Sequence, residues 1–319
     1  MPLIVLVGNV FLGSPGQLNA DRMAEAVVEH LELGNCLMNS ANERNVVRAY
    51  AARIPKRGAT IVLGSSRVLP IGPSSTGTDD TFNLGVSSAS LEDIFSILEI
   101  LYEQDIHPAR VILGLEDWFL NGNADLHNWR KLATEFSAYL LRAGLEDPTD
   151  GRLLRFGSDY AILGFVRPDL FYDLSHITNL RYFQSGIYDF ARQILRTGKY
   201  SYFSALAAAT TVDPNDTGGW CQRRAYWYRA RSPEQIEQMA KEWGREPFLE
   251  TQNAQLQYYR QYREHDPRAI ERVERIVADL AVQGTEVVLY LAPWHPSAYA
   301  QFQETSIGRL AILAEAKYR

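Results

Sequence analysis

The chain has 319 residues, 46% of them apolar and 22% charged, with a formal net charge of −6. That is the balance of an ordinary globular protein, long enough to bury a core without disulfide staples. The negative charge and the lack of any Lys/Arg cluster exclude a nucleic-acid binder, because a phosphate backbone requires a basic surface.

Met1 to Leu12 is apolar but too short to span a bilayer, and it lacks the basic flank and cleavage site of a signal peptide. It reads either as a buried strand or as the stump of a longer membrane anchor. Apolar residues at helical spacing predict helices over 20–33 and 42–54. Thr60 to Leu63 is a β-branched run into Gly-Ser-Ser, a strand entering a tight turn. Residues 68–80, rich in Pro, Gly, Ser and Thr, read as loop. A second strand is expected over 82–86, an amphipathic helix over 91–102 with Ser90 as N-cap, and a third strand over 111–115. Strand, helix and strand in this order imply right-handed crossovers and a mostly parallel sheet.

From about 126 to 283 the pattern turns helical, with helices expected over 132–143, 179–195, 233–243 and 253–282. His265-Asp266-Pro267 should break the last of these, since proline disfavours a helical residue before it. A fourth strand over 286–291 and a terminal helix over 298–318 complete the chain. The expected architecture is one α/β domain of 1–319, with a core of about 42–125 and 284–319 and a helical insertion of about 126–283. Aromatics of the middle (Trp220, Tyr226, Trp227, Tyr228) read as insertion core before they read as a sugar platform, and Tyr258, Tyr259 and Tyr262 as helix-face packing.

Cys36 and Cys221 form no CxxC pair, and no Cys/His spacing suits zinc. Whether they pair is open. No metal and no cofactor is expected, and a nucleotide site lacks both the Gly-x-Gly-x-x-Gly and Walker patterns.

Three successive strands end in glycine plus polar residues: Gly64-Ser65-Ser66-Arg67, Asn83-Leu84-Gly85-Val86-Ser87 and Gly114-Leu115-Glu116-Asp117. In a parallel sheet these turns share one rim, where open α/β sheets build their sites. In order and separation the three blocks resemble the SGNH/GDSL hydrolase superfamily, in the Gly-Ser-Ser-Arg variant associated with bacterial envelope polysaccharide loci. The resemblance covers roughly 42–121 and 287–295. It implies a flavodoxin-like three-layer fold and a serine esterase or O-acyltransferase acting on carbohydrate or other acylated envelope substrates. The alternative is a catalytically inactive relative that binds glycan or assembles an envelope complex.

Carried over by position, Ser66 is the nucleophile, and its own N–H with that of Gly85 forms the oxyanion hole. Arg67 holds an anionic substrate group or braces a carboxylate, and Trp294 lines the substrate. An envelope or membrane-associated location, through an anchor at the N-terminus, is part of the same expectation.

Two departures stand out. Glu116 occupies the place of the family's oxyanion asparagine, and an ionised carboxylate cannot donate. Asn83 or another donor would replace it, leaving Glu116 and Asp117 solvated or capping a helix. The family's Asp-x-x-His is also absent near the C-terminus. His295, in Ala292-Pro293-Trp294-His295-Pro296, is the first candidate base. His176, in Asp173-Leu174-Ser175-His176, has the spacing in the wrong place, and the base block is otherwise missing. His30, His107, His127 and His265 read as surface or helix-end residues.

Overall fold

The structure is a computed structural model. It describes residues 20–32, 42–124, 126, 128–145, 219–220, 226–227, 234, 237–238, 258–259, 262–293 and 296–318. These belong to two compact units. One is drawn from Met1–Arg53, Ser96–Ile100 and Arg130–Gln222, the other from Ile54–Phe95, Leu101–Trp129 and Arg223–Arg319.

The first unit holds α1 (Ala20–Glu32) and α2 (Glu43–Ala51). Ala24, Val27, Val28 and Leu31 form the buried stripe of α1, a spacing that keeps them on one helical face. Asn42 caps α2, its side chain accepting the Arg44 N–H at 3.0 Å. The predicted helices are therefore present, with α2 stopping three residues short of the expected end. Arg48 joins α2 to Glu135 of a later helix at 2.6 Å.

The second unit is built on a sheet. Its elements begin with β1 (Thr60–Leu63), the one-turn helix α3 (Pro73–Thr76) and β2 (Thr81–Asn83). Next come α4 (Leu91–Glu103), of which Ser96–Ile100 counts with the first unit, and β3 (Arg110–Leu115). Ser90 caps α4 reciprocally with Asp93: the Asp93 carboxylate accepts the Ser90 N–H at 2.9 Å, and the Ser90 hydroxyl accepts the Asp93 N–H at 3.4 Å. After β3 the chain makes two 3₁₀ turns, Asp117–Leu120 and Asn128–Leu132, and enters α5 (Ala133–Ala143), which belongs to the first unit.

Two-residue strands β4 (Gly219–Trp220) and β5 (Tyr226–Trp227) follow, inside the stretch expected to be helical. The predicted helix over 179–195 lies outside the described residues, as do most of 233–257 and both cysteines. Then come α6 (Pro267–Val282), β6 (Glu286–Leu291), α7 (Pro296–Phe302) and α8 (Ser306–Tyr318).

The proline break occurs as expected. Asp266 caps α6, its carboxylate accepting the Arg268 N–H at 3.0 Å, and Pro267 takes the first helical turn, where no N–H is needed. Tyr258 and Tyr259 lie in a turn rather than on the predicted long helix. The expected terminal helix is two helices, because Thr305 interrupts it. Its hydroxyl donates to Phe302 O at 2.7 Å and accepts the Gly308 N–H at 2.9 Å, starting α8 afresh.

All four strands of the sheet run parallel in the order β2-β1-β3-β6. The class is α/β, and the strand order is compatible with a flavodoxin-like fold. β1 is buried at every residue, as a strand covered on both faces should be. β2 is shorter than predicted, yet its extension stays on β1: the Leu84 N–H donates to Val62 O at 2.8 Å and the Val86 N–H to Gly64 O at 3.0 Å. α6, expected within the insertion, belongs with the sheet, and it buries Ala269, Val273, Ile276 and Leu280. β6 is one of the two edges, and there Val288 and Leu289 remain 38% and 43% exposed.

Candidate functional site at the switch point of the sheet

β2 lies on one side of β1 and β3 on the other, so the strand order reverses between β1 and β3. Open α/β sheets form their crevice at this point, outside the carboxyl ends of the strands. The turn 64–70 leaves β1 there, and Glu116 and Asp117 follow β3 directly.

One side chain explains the three strand-end glycines. Val68 of the turn folds back over the strand ends. A Cβ on Gly64 would stand 2.9 Å from Val68 Cγ1, and one on Gly85 2.7 Å from Val68 Cγ2. A Cβ on Gly114 would run into the same isopropyl group. Gly64 also adopts φ +146°, a conformation side chains resist. Asn83 secures the far end of the turn. Its amide donates to Val68 O at 2.7 Å and Ile71 O at 2.8 Å, while its side-chain oxygen accepts the Gly85 N–H at 2.9 Å.

Of the expected oxyanion donors, Gly85 and Asn83 are thus engaged inside the chain. Asn83 acts as a clasp for the turn, and the Gly85 N–H already has an acceptor. A ligand oxygen would have to displace that acceptor.

The two adjacent serines behave differently. Ser65 is fully buried, donates its hydroxyl to Glu116 and accepts the Arg67 backbone N–H at 3.1 Å. Ser66 is partly exposed, and its hydroxyl has no hydrogen-bond partner among the described residues. Arg67 carries the bracing role. Its guanidinium donates to Glu116 Oε2 at 2.9 Å and to the Ala292 carbonyl beyond β6. The Glu116 carbonyl accepts the Tyr318 hydroxyl of α8 at 3.0 Å.

The expectation that Glu116 and Asp117 are solvated or cap a helix is corrected: both are buried, and Glu116, at the N-cap position of the 3₁₀ turn, makes no side-chain cap bond. Glu116 is 1% exposed and Asp117 6%. Burial pushes the Glu116 carboxyl up to about 7, against the opposing pull of Arg67 and Ser65. Burial likewise pushes Asp117 up to about 6. Neither Asp117 oxygen makes a hydrogen bond of good geometry, although the Tyr259 hydroxyl is the polar group at its side. The aromatics around it pack on one another: Trp118 and Tyr258 stand 4.9 Å apart, and the Tyr262 hydroxyl donates to Asp117 O at 2.9 Å.

His295, Trp294 and His176 lie outside the described residues, as does His127. Half-buried His107 pairs with Asp105 at 2.9 Å, and His265 bonds Leu310 O at 2.9 Å. His30 lies in the last turn of α1. Among the described residues no group of three or more His, Cys, Asp or Glu could hold a metal ion, and no helix is long and apolar enough to cross a membrane.

Comparison with protein-family models, curated proteins and solved structures gives no match. The chemistry of this rim therefore rests on its own geometry. The turn after β1 presents one accessible hydroxyl, its neighbours are locked by an arginine–carboxylate brace, and the chain running toward His295 is tied to the same brace through Ala292.

Proposed function

We propose that the protein is an SGNH-type serine esterase or O-acyltransferase acting through an acyl-enzyme on Ser66. The observation that carries this reading is the contrast between the serines. Ser65 is buried and doubly bonded, whereas the Ser66 hydroxyl, partly exposed on the switch-point turn, has no hydrogen-bond partner among the described residues. In this mechanism Ser66 Oγ attacks an acyl carbonyl and passes its proton to a base, for which His295 is the first candidate and His176 the second. The Ser66 N–H, with the Gly85 N–H once Asn83 yields it, stabilises the tetrahedral oxyanion. The base returns the proton to the leaving alcohol. Water or a sugar hydroxyl then breaks the acyl-enzyme bond, giving hydrolysis or transfer. Acylated carbohydrate of a bacterial envelope is the substrate class implied by the Gly-Ser-Ser-Arg resemblance, and an envelope location goes with it.

The test is labelling with a fluorophosphonate and hydrolysis of an aryl acetate by wild type, Ser66→Ala, His295→Ala and His176→Ala. The label should map to the peptide containing Ser66. Ser66→Ala should lower kcat by roughly three orders of magnitude or more, and only one histidine variant should follow it. Equal rates for wild type and Ser66→Ala remove Ser66 from the chemistry.

One observation favours a second reading, a non-catalytic glycan-binding or assembly protein of the same type: the Gly85 N–H and the Asn83 amide are both engaged internally. Glycan binding by a wild-type protein that takes no label would support it.

A further inference from the structure

On the reading that Ser66 is the nucleophile, we propose that Arg67 is a positioning residue that clamps the chain leading into His295 against the Ser66 turn. Parallel strands lie about 4.8 Å apart, so β1 and β6, separated by β3, end roughly 10 Å from one another. No backbone ladder joins them. Arg67 closes that gap from one side. One arm of the guanidinium holds Glu116 at the end of β3, and the other holds the carbonyl of Ala292, one residue past β6. The fork can do both at once because guanidinium donors are planar and fixed relative to one another; an ammonium is a single point charge.

The clamp is itself held on both flanks. The second Glu116 oxygen accepts the Ser65 hydroxyl, and the Ser65 oxygen accepts the Arg67 backbone N–H, so the residues before and after Ser66 are fixed to one carboxylate. The Tyr318 hydroxyl pins the Glu116 backbone at 3.0 Å. Ala292 is 9% exposed, so its carbonyl has little water as an alternative partner. His295 follows three residues later. Arg67 thus ties Ala292, three residues before the candidate base, to the turn that carries Ser66.

The test compares wild type, Arg67→Lys and Arg67→Met by amide hydrogen exchange of the peptides spanning 286–302, alongside aryl-acetate kinetics and melting temperature. Arg67→Lys keeps the charge beside Glu116 and loses the second arm. Amides of 291–299 should exchange about tenfold faster in both variants, while those of β1 and β3 in Arg67→Lys match wild type. The kcat should fall by about a hundredfold, as small misplacements of catalytic groups do, with KM within about twofold. Unchanged exchange over 291–299 in folded Arg67→Lys overturns the clamp, whether or not the protein hydrolyses esters. Loss of protection in both Arg67 variants, in a protein whose wild type never labels at Ser66, upholds the clamp and rejects the esterase reading instead.

Discussion

Asp117 is a carboxylate sealed among aromatic rings, with no well-formed hydrogen bond to either oxygen. A buried anion in that state costs several kcal/mol unless it takes a proton. Glu116, its neighbour, hydrogen-bonds Arg67 and Ser65, whereas Asp117 has only the Arg67 charge nearby and the Tyr259 hydroxyl at its side. The amide of Asp117→Asn occupies the same volume without the charge. That variant should gain about 1–3 kcal/mol at pH 8 by urea unfolding. A loss of stability would mean that the carboxylate has a partner that matters. Apart from the resemblance, nothing in the residue string distinguishes Ser65 from Ser66 or marks Glu116 as buried. Adjacent serines differ only by which face of the turn they take, and a strand buried on both faces leaves no alternation from which to count.

Elements were the most legible level. The runs at 60–63, 110–115 and 286–291, the helix at 91–103 and the break before Pro267 all carry local signals strong enough to place them. The break at Thr305 was not legible, because threonine caps a helix only where its hydroxyl finds the neighbouring backbone. The glycines were noticed, but for their turns rather than their missing side chains. Gly114→Ala should cost about 1–3 kcal/mol, since the methyl meets Val68 in a packed strand end. Val288→Thr, on the open edge strand, should shift unfolding by no more than about 0.5 kcal/mol. Comparable losses in the two variants would mean that the edge strand is covered as closely as the switch point.

For the whole molecule the parallel sense of the sheet followed from strand–helix–strand alternation. The membership of α6 did not, because a crossover helix and an insertion helix share the same amphipathic period. The acid pair has a consequence at this scale. Glu116 and Asp117 have ordinary values of 4.5 and 3.8 and are raised to about 7 and about 6 by folding. Between about pH 4 and 7 the folded chain therefore holds protons that the unfolded chain has released. Their contribution to stability is complete below that window and is lost as pH rises through it. Wild type should lose a few kcal/mol across the window, and Glu116→Gln/Asp117→Asn should flatten that slope. Denaturation midpoints at pH 4.5, 6 and 8 give the comparison, and an unchanged slope in the double variant would place the titration elsewhere.

The valine that lies over three glycines also ties four distant positions into one heritable unit. Residue 68 can stay branched and bulky only while Gly64, Gly85 and Gly114 remain bare, and Gly64 is held besides by its φ of +146°. Val68→Ala should therefore relieve Gly85→Ala, with a coupling of about 1 kcal/mol in a double-mutant cycle. Related chains should change these positions together or leave them all alone. The rim that carries Ser66 would then drift in sequence as a block, while the residues facing it remain free to vary one at a time.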